Sequence, residues 1–185
     1  MNPILETHQP SIGYQDLMLP TPGSLFSAAG WVFELKYDGM RSLATKRSGI
    51  VSLRSKSGRD LSSLFPELVR DLERMPHDFV VDGELVVLND QEQPDWEALH
   101  ARQSLRHTPR IAEAAREQPA TLFAFDVLLL DGQDLRRQSL LARKSALQGL
   151  IAPNGRLRAV GHLANSSTTL WRLACLLYTS DAADE

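Results

Sequence analysis

WVFELKYDGMRSLATKRSGIVSLRS, residues 31–55, is the stretch on which the reading of the fold turns. Trp31, Phe33 and Leu35 alternate with Val32, Glu34 and Lys36, the period of two expected of a half-buried strand. Tyr37-Asp38-Gly39 breaks that alternation. Gly39 permits a tight turn there, which lets the backbone come close to a ligand. Arg41–Lys46 and Ile50–Ser55 flank Arg47-Ser48-Gly49 and predict a hairpin.

Working outward, Phe65 to Met75 predicts a helix, with Pro66 in its first turn and Phe65, Leu68, Leu72 and Met75 on one face. Phe79–Val81 and Leu85–Leu88 are apolar runs on either side of Asp82-Gly83-Glu84, and Asp-Gly favours a hairpin turn between them. Pro94 to Leu99 predicts a capped helix start. Leu122 to Leu130 is apolar except for Asp126 and closes at the turn Asp131-Gly132. Ser139 to Ile151 is helical by pattern, with Leu140, Leu147 and Leu150 for packing. Residues 1–30, rich in Pro, Gly and Ser, predict an irregular N-terminal arm. Strands and helices in this order imply an α+β domain of antiparallel pairs, not regular βαβ units.

Bulk properties narrow the class less. A chain of 185 residues fits one ordinary domain. A net charge of −3 does not announce a nucleic-acid binder, so DNA contact would rest on local patches. Residues 41–59 supply one candidate, holding Arg41, Lys46, Arg47, Arg54, Lys56 and Arg59 without an acid. That stretch reads equally well as a phosphate-tracking hairpin or as a solvated face. No apolar run approaches the ~20 residues of a membrane span, and the first residues lack a secretory pattern. Cys175 is the single cysteine, which excludes a disulfide framework and a cysteine-based zinc site. The expected location is the cytoplasm.

Lys36 precedes a turn, with Asp38 two residues on and Arg41 five on. A lysine acts as a nucleophile only when its amine is neutral, which calls for burial or neighbouring cations. Arg41 supplies such a cation and a planar fork for phosphate. Asp82 and Glu84 could hold hydroxyls or a hard divalent cation. Asp126 within an apolar strand demands a partner, since an unpaired buried carboxylate is costly. Phe125 offers a flat face for a base. A snorkelling lysine, a plain turn and a core aromatic remain alternatives for each residue taken singly.

In order, these residues closely resemble the covalent nucleotidyltransferase superfamily of DNA ligases, RNA ligases and capping enzymes. Lys36-Tyr37-Asp38-Gly39-Met40-Arg41 matches its first motif, K-x-D-G-x-R. Ser55-Lys56-Ser57-Gly58 resembles S-R-x-G, Asp82-Gly83-Glu84 the third motif, and Phe125-Asp126 the aromatic position after it. LRSKSGRDLSSLFPEL (53–68) and LFAFDVLLLDG (122–132) resemble bacterial ATP-dependent DNA ligases, above all the ligase domain of the end-joining ligase D type. The resemblance implies an ATP-grasp-like adenylation domain of antiparallel sheets flanked by helices. It implies that Lys36 becomes a lysyl-AMP and that Glu34 holds the adenine amino group. Arg41 and Lys56 would lie by sugar and phosphate, Glu84 would contact ribose or a metal, and Phe125 would stack on adenine. ATP is the implied substrate, Mg²⁺ (or Mn²⁺) the ion, and nicked or broken double-stranded DNA the partner. End-joining proteins are further candidate partners, the protein would be bacterial and nucleoid-associated, and no membrane is involved.

Two departures accompany the resemblance. Lys56 stands where the family has arginine, which keeps the charge but loses the bidentate fork. LRAVGHLANSSTTLWRLACL (157–176) resembles the stretch leading into a fourth motif, E-G-x-x-x-K, but residues 177–185 carry neither glycine nor lysine. The expected organisation is therefore the arm 1–30, a partial adenylation domain 31–176, incomplete at its C-terminal end, and a non-native tail 177–185. An inactive nucleotide-binding module, and an RNA ligase or capping-type enzyme, are the competing readings.

Overall fold

A computed structural model describes residues 11–22, 24, 26–165 and 169. Cys175, the expected domain end at 176 and the tail 177–185 lie outside the described residues. The chain is α+β, as expected. A strand β1 (Val32–Glu34) is followed by the hairpin β2 (Met40–Arg47) and β3 (Ile50–Ser55), then α1 (Pro66–Glu73) and β4 (Phe79–Val87). Helices α2 (Trp96–Gln103) and α3 (Thr108–Glu117) lead to β5 (Ala120–Leu130) and β6 (Gln133–Asp134). The described elements end with α4 (Leu140–Leu150), β7 (Leu157–Ala159) and β8 (His162–Ala164).

One sheet runs β3-β2-β4-β5-β6, with β7 added alongside β5. All its pairs are antiparallel except β5–β7, which is parallel because α4 carries the chain across between them. β1 and β8 form a separate two-stranded sheet. The β2–β3 hairpin closes through Ser48 and Gly49 with φ of 48° and 81°, the left-handed pair of the favoured two-residue hairpin turn. α1 starts with Pro66 in its first turn and buries Leu68 and Leu72, with Phe65 and Met75 buried at its ends. The Asp95 side chain accepts from the Ala98 N–H to cap α2, and Ser139 caps α4 likewise. Residues of α1, α2, α3 and α4 join one face of the sheet in a single apolar core that includes Phe79, Leu85, Leu99, Leu122 and Leu147.

Two expectations are corrected, and one helix is present where none was expected. The strand expected over Trp31–Lys36 is only Val32–Glu34, all three residues half-buried, and among the described residues it pairs with the short β8. Helix α3 carries few apolar residues, burying only Ile111 and Ala115, and so left no period to read. Asp82-Gly83-Glu84 is not a turn; it lies within the continuous strand β4, with register shifts between Val80 and Val81 and between Asp82 and Gly83. Gly83 serves a different need there. A Cβ at that position would sit 2.7 Å from the carbonyl oxygen of Phe123 and 3.0 Å from the Ala124 Cα. Overpacking against backbone costs about 1–3 kcal/mol. Gly83→Ala is accordingly expected to lower the unfolding free energy by that amount, seen as a lower urea midpoint with the m-value unchanged, and a variant as stable as the parent would refute the contact.

The second face of the sheet is covered differently at its two ends. Leu17 from the arm packs on Val80, Leu128 and Leu129, with Ile12 and Tyr14 beside it. Val86, Phe123 and Val160 form another small cluster under Tyr37, Leu88 and Phe125. Between the clusters lies a polar strip. Among the described residues no helix is long and apolar enough to cross a membrane.

Candidate functional site

The polar strip begins with register. Antiparallel pairing sets Arg41 on β2 directly opposite Glu84 on β4. The Arg41 guanidinium grips Asp82 as a fork, Nε to Oδ1 at 3.1 Å and Nη2 to Oδ2 at 2.7 Å. Its Nη2 also donates to the Met18 carbonyl at 2.6 Å, which ties the arm to the strip. The hydrogen bond to Asp82 raises the Arg41 pKa above its ordinary value, so the cation is permanent. The same guanidinium lies 5.3 Å from the Phe125 ring centre and 5.5 Å from that of Tyr14, and the Lys56 ammonium lies 5.5 Å from Tyr14 as well. Tyr14, Arg41 and Lys56 line a cleft of about 340 Å³.

Lys36 sits in the β1–β2 connection, not in a strand, and of the two surroundings a nucleophilic lysine calls for, burial or neighbouring cations, burial is absent. Its side chain is 89% exposed and faces Asp38 at 4.0 Å. Two neighbours fix that connection. Tyr37 stacks on Phe123 at 4.0 Å between ring centres and 14° between planes. Gly39 presses on β4, where a Cβ would meet the Leu85 carbonyl oxygen at 2.5 Å and the Val86 side chain at 2.7 Å. The glycine is thus required for close approach to β4, whereas the sequence reading assigned it to a tight turn beside a ligand.

Glu84 is the residue whose chemistry is most altered. Burial pushes its carboxyl up to about 7; Lys36 and Arg41 oppose the shift, while Asp82 and Asp38 add to it. Near neutral pH the folded protein therefore holds a proton on Glu84 that the unfolded chain has released. Between pH ~4.5 and ~7 the folded state binds more protons, so this group's contribution to stability falls as pH rises and is fully lost above about 7. Thermal melts from pH 5 to 8 should show that slope in the parent and not in Glu84→Gln. Parallel curves for the two proteins would contradict the assignment.

Glu34 and Phe125 are joined by a residue the sequence reading did not single out. The buried Lys144 ammonium bonds Glu34 Oε1 and the Phe125 carbonyl oxygen, the latter at 2.9 Å. Arg143 beside it grips Asp126, Nε to Oδ1 at 2.7 Å and Nη2 to Oδ2 at 3.0 Å, which supplies the partner that Asp126 required. Both basic residues share the α4 face of Leu147 and Leu150, and charge on a core-facing stripe was the available signal. Glu34, Arg41, Lys56, Glu84 and Phe125 are thus gathered on one strip through Tyr14, Asp82 and Lys144, and Lys36 joins it through its charge interaction with Glu84. The basic stretch 41–59 does not form one face. Lys46 is buried against the end of α1, donating to the Glu73 carbonyl at 3.0 Å and to that of Met75. Arg54 donates to Gly58 and Arg59 to Gln103.

Among the described residues no three His, Cys, Asp or Glu side chains converge on a metal site. A single half-buried carboxylate, kept partly protonated by burial, would fit a divalent cation that completes its shell with phosphates and water.

Residues 23–171 match the family model of the ATP dependent DNA ligase domain. Over 132 residues the chain is 37% identical to the bifunctional non-homologous end joining protein LigD of Bacillus subtilis, covering 67% of this chain and 21% of that protein. It is 35% identical over 136 residues to the multifunctional non-homologous end joining DNA repair protein LigD of Mycobacterium tuberculosis, covering 72% and 16%. The solved ligase domain of M. tuberculosis LigD superposes with a TM-score of 0.69 at 30% identity, over 85% of this chain and 49% of that one. A mycobacterial DNA ligase D complexed with ATP and MES gives 0.64 at 27% identity, over 88% and 52%. The chain thus spans about a fifth of the length of these curated relatives and about half of the solved domains.

Proposed function

The chain belongs to the ATP-dependent DNA ligase domain family, and from that premise we propose that it carries the nucleotide-handling part of an end-joining type DNA ligase. Lys36 Nζ, once it has lost a proton, attacks the α-phosphorus of ATP. A P–N bond forms, the bond from the α-phosphorus to the bridging oxygen breaks, and pyrophosphate leaves. The adenylyl group then passes to the 5′-phosphate at a break in double-stranded DNA, and the 3′-hydroxyl displaces AMP as the backbone closes. The exposure of Lys36 suits a nucleophile that must meet two substrates in turn.

The other residues bind and orient. Glu34 takes the adenine amino group, Phe125 stacks on the ring, and Arg41 and Lys56 flank ribose and phosphate. Glu84 would contact ribose or hold Mg²⁺ or Mn²⁺, which when bound neutralises phosphate charge. The arm (1–30) contributes Tyr14 and the Met18 carbonyl to the same strip as the adenylation region (31–176). The observation that carries this reading is the Arg41 guanidinium, which reaches Asp82, Phe125 and the arm at once.

The test is incubation of the full chain with α-labelled ATP and Mg²⁺, followed by peptide mapping. Label that survives alkali and is released by acid, as a P–N bond requires, is expected on the peptide bearing Lys36. ATP binding with no covalent label would favour the inactive nucleotide-binding module, and neither binding nor label would defeat both readings. End-joining proteins remain candidate partners, and the DNA-repair relatives favour a DNA strand over an RNA end as acceptor.

A further inference from the structure

We propose that Lys144 is a positioning residue that sets the preference for an amino-bearing purine, an inference that rests on the reading of Glu34 and Phe125 as base contacts. Its ammonium is buried and bonded to Glu34 Oε1 and to the carbonyl oxygen of Phe125. Those are the residues assigned to the edge and the face of the base. One buried point charge therefore fixes both halves of the base site relative to each other.

Two physical consequences follow. An ammonium buried this deeply requires a compensating anion, and the Glu34 carboxylate bonded to it accepts hydrogen bonds and donates none. Among the described residues Lys144 contacts Oε1 alone. Oε2 is then the acceptor for the exocyclic amine of adenine, and it repels a 6-oxo group at the same place. The second consequence concerns placement. Glu34 lies on β1, whose strand partner is β8 in a sheet separate from the main one. A two-stranded unit is marginal by itself. The Lys144 bridge joins it to β5 of the main sheet at Phe125, holding the carboxylate at a set distance from the stacking ring. Arg143, the adjacent basic residue, engages Asp126 instead, so α4 divides anchoring of the strand and placement of the base contacts between neighbours.

The experiment compares ATP with inosine triphosphate, which differs at the 6-position in presenting an oxygen and a ring N–H. Dissociation constants for both are measured calorimetrically on the full chain, its Lys144→Met variant and its Glu34→Ala variant, with thermal melts as a check on folding. Loss of a charge-assisted contact predicts that K144M lowers the ATP preference about ten-fold or more, chiefly by weakening ATP. Where K144M fails to melt cooperatively, Lys144→Gln, which offers the buried oxygens a neutral donor, should give the same loss. A folded K144M or K144Q with unchanged preference, while E34A loses it, overturns the role of Lys144 alone. Unchanged preference in E34A overturns the reading of Glu34 beneath it. No measurable ATP affinity in the parent chain overturns both.

Discussion

Lys36→Ala should leave the chain folded and reduce covalent labelling by α-labelled ATP at least about a thousand-fold, the scale seen when a nucleophile is removed from an enzyme. The contrast follows from where the residue sits. Its side chain is 89% exposed, and its ion pair with Asp38 at 4.0 Å is of the exposed kind that contributes ~0–1 kcal/mol. Urea unfolding of the variant should therefore match the parent within about 0.5 kcal/mol. The loss of label has a separate cause: no other atom can form the P–N bond from that position. Lys36→Arg should fail equally, because a guanidinium does not give up a proton in the accessible range. Label that persists in the alanine variant would move the nucleophile to another lysine. Loss of label together with loss of the cooperative transition would make Lys36 a structural residue and defeat the exposure argument.

The hairpin 41–55, the α1 helix and the long β5 strand were legible because local and tertiary preferences agree there. Turn residues, side-chain period and burial all specify the same element. Asp82-Gly83-Glu84 misled because its local preference is overridden. The Asp-Gly pair favours a hairpin, but Asp82 is claimed by Arg41 and Gly83 is required to clear the Phe123 carbonyl, so the strand runs straight through. The family motifs made the candidate site legible as a set of positions, and those positions do lie along one strip. Its contacts were not legible. Tyr14, Asp82 and Lys144, which tie the strip together, come from an irregular arm, a misread turn and a helix noted only for its leucines. Lys36 lies exposed in the β1–β2 connection because β1 ends at Glu34 and does not run on to Lys36.

Breaking the Asp126–Arg143 pair should have the largest effect on stability. Asp126 is fully buried, Arg143 nearly so, and both guanidinium-to-carboxylate bonds are short. Arg143 also donates to the Gln138 carbonyl at 2.7 Å, closing the turn before α4. Arg143→Met keeps the apolar stem but strands a buried carboxylate, which costs about 3–5 kcal/mol. The cost lies toward the upper end here, because Asp126 stands opposite Asp82 in the β4–β5 register, and two acids face each other with one of their arginines gone. Against a total stability of roughly 5–15 kcal/mol, that is enough to bring the domain near its unfolding threshold. The double variant Asp126→Leu/Arg143→Met should recover most of the loss, since it removes the stranded charge rather than adding a partner. Urea melts of the two single variants and the double one give the coupling directly. A cost below about 1 kcal/mol for Arg143→Met, or a double variant no better than the single, would show that Asp126 is stabilised by something other than this pair. The base site should follow the pair. Phe125 precedes Asp126 on β5, so a folded Arg143→Met protein is expected to bind ATP more weakly while still accepting label at Lys36, which separates the anchoring of the ring from the chemistry at the amine.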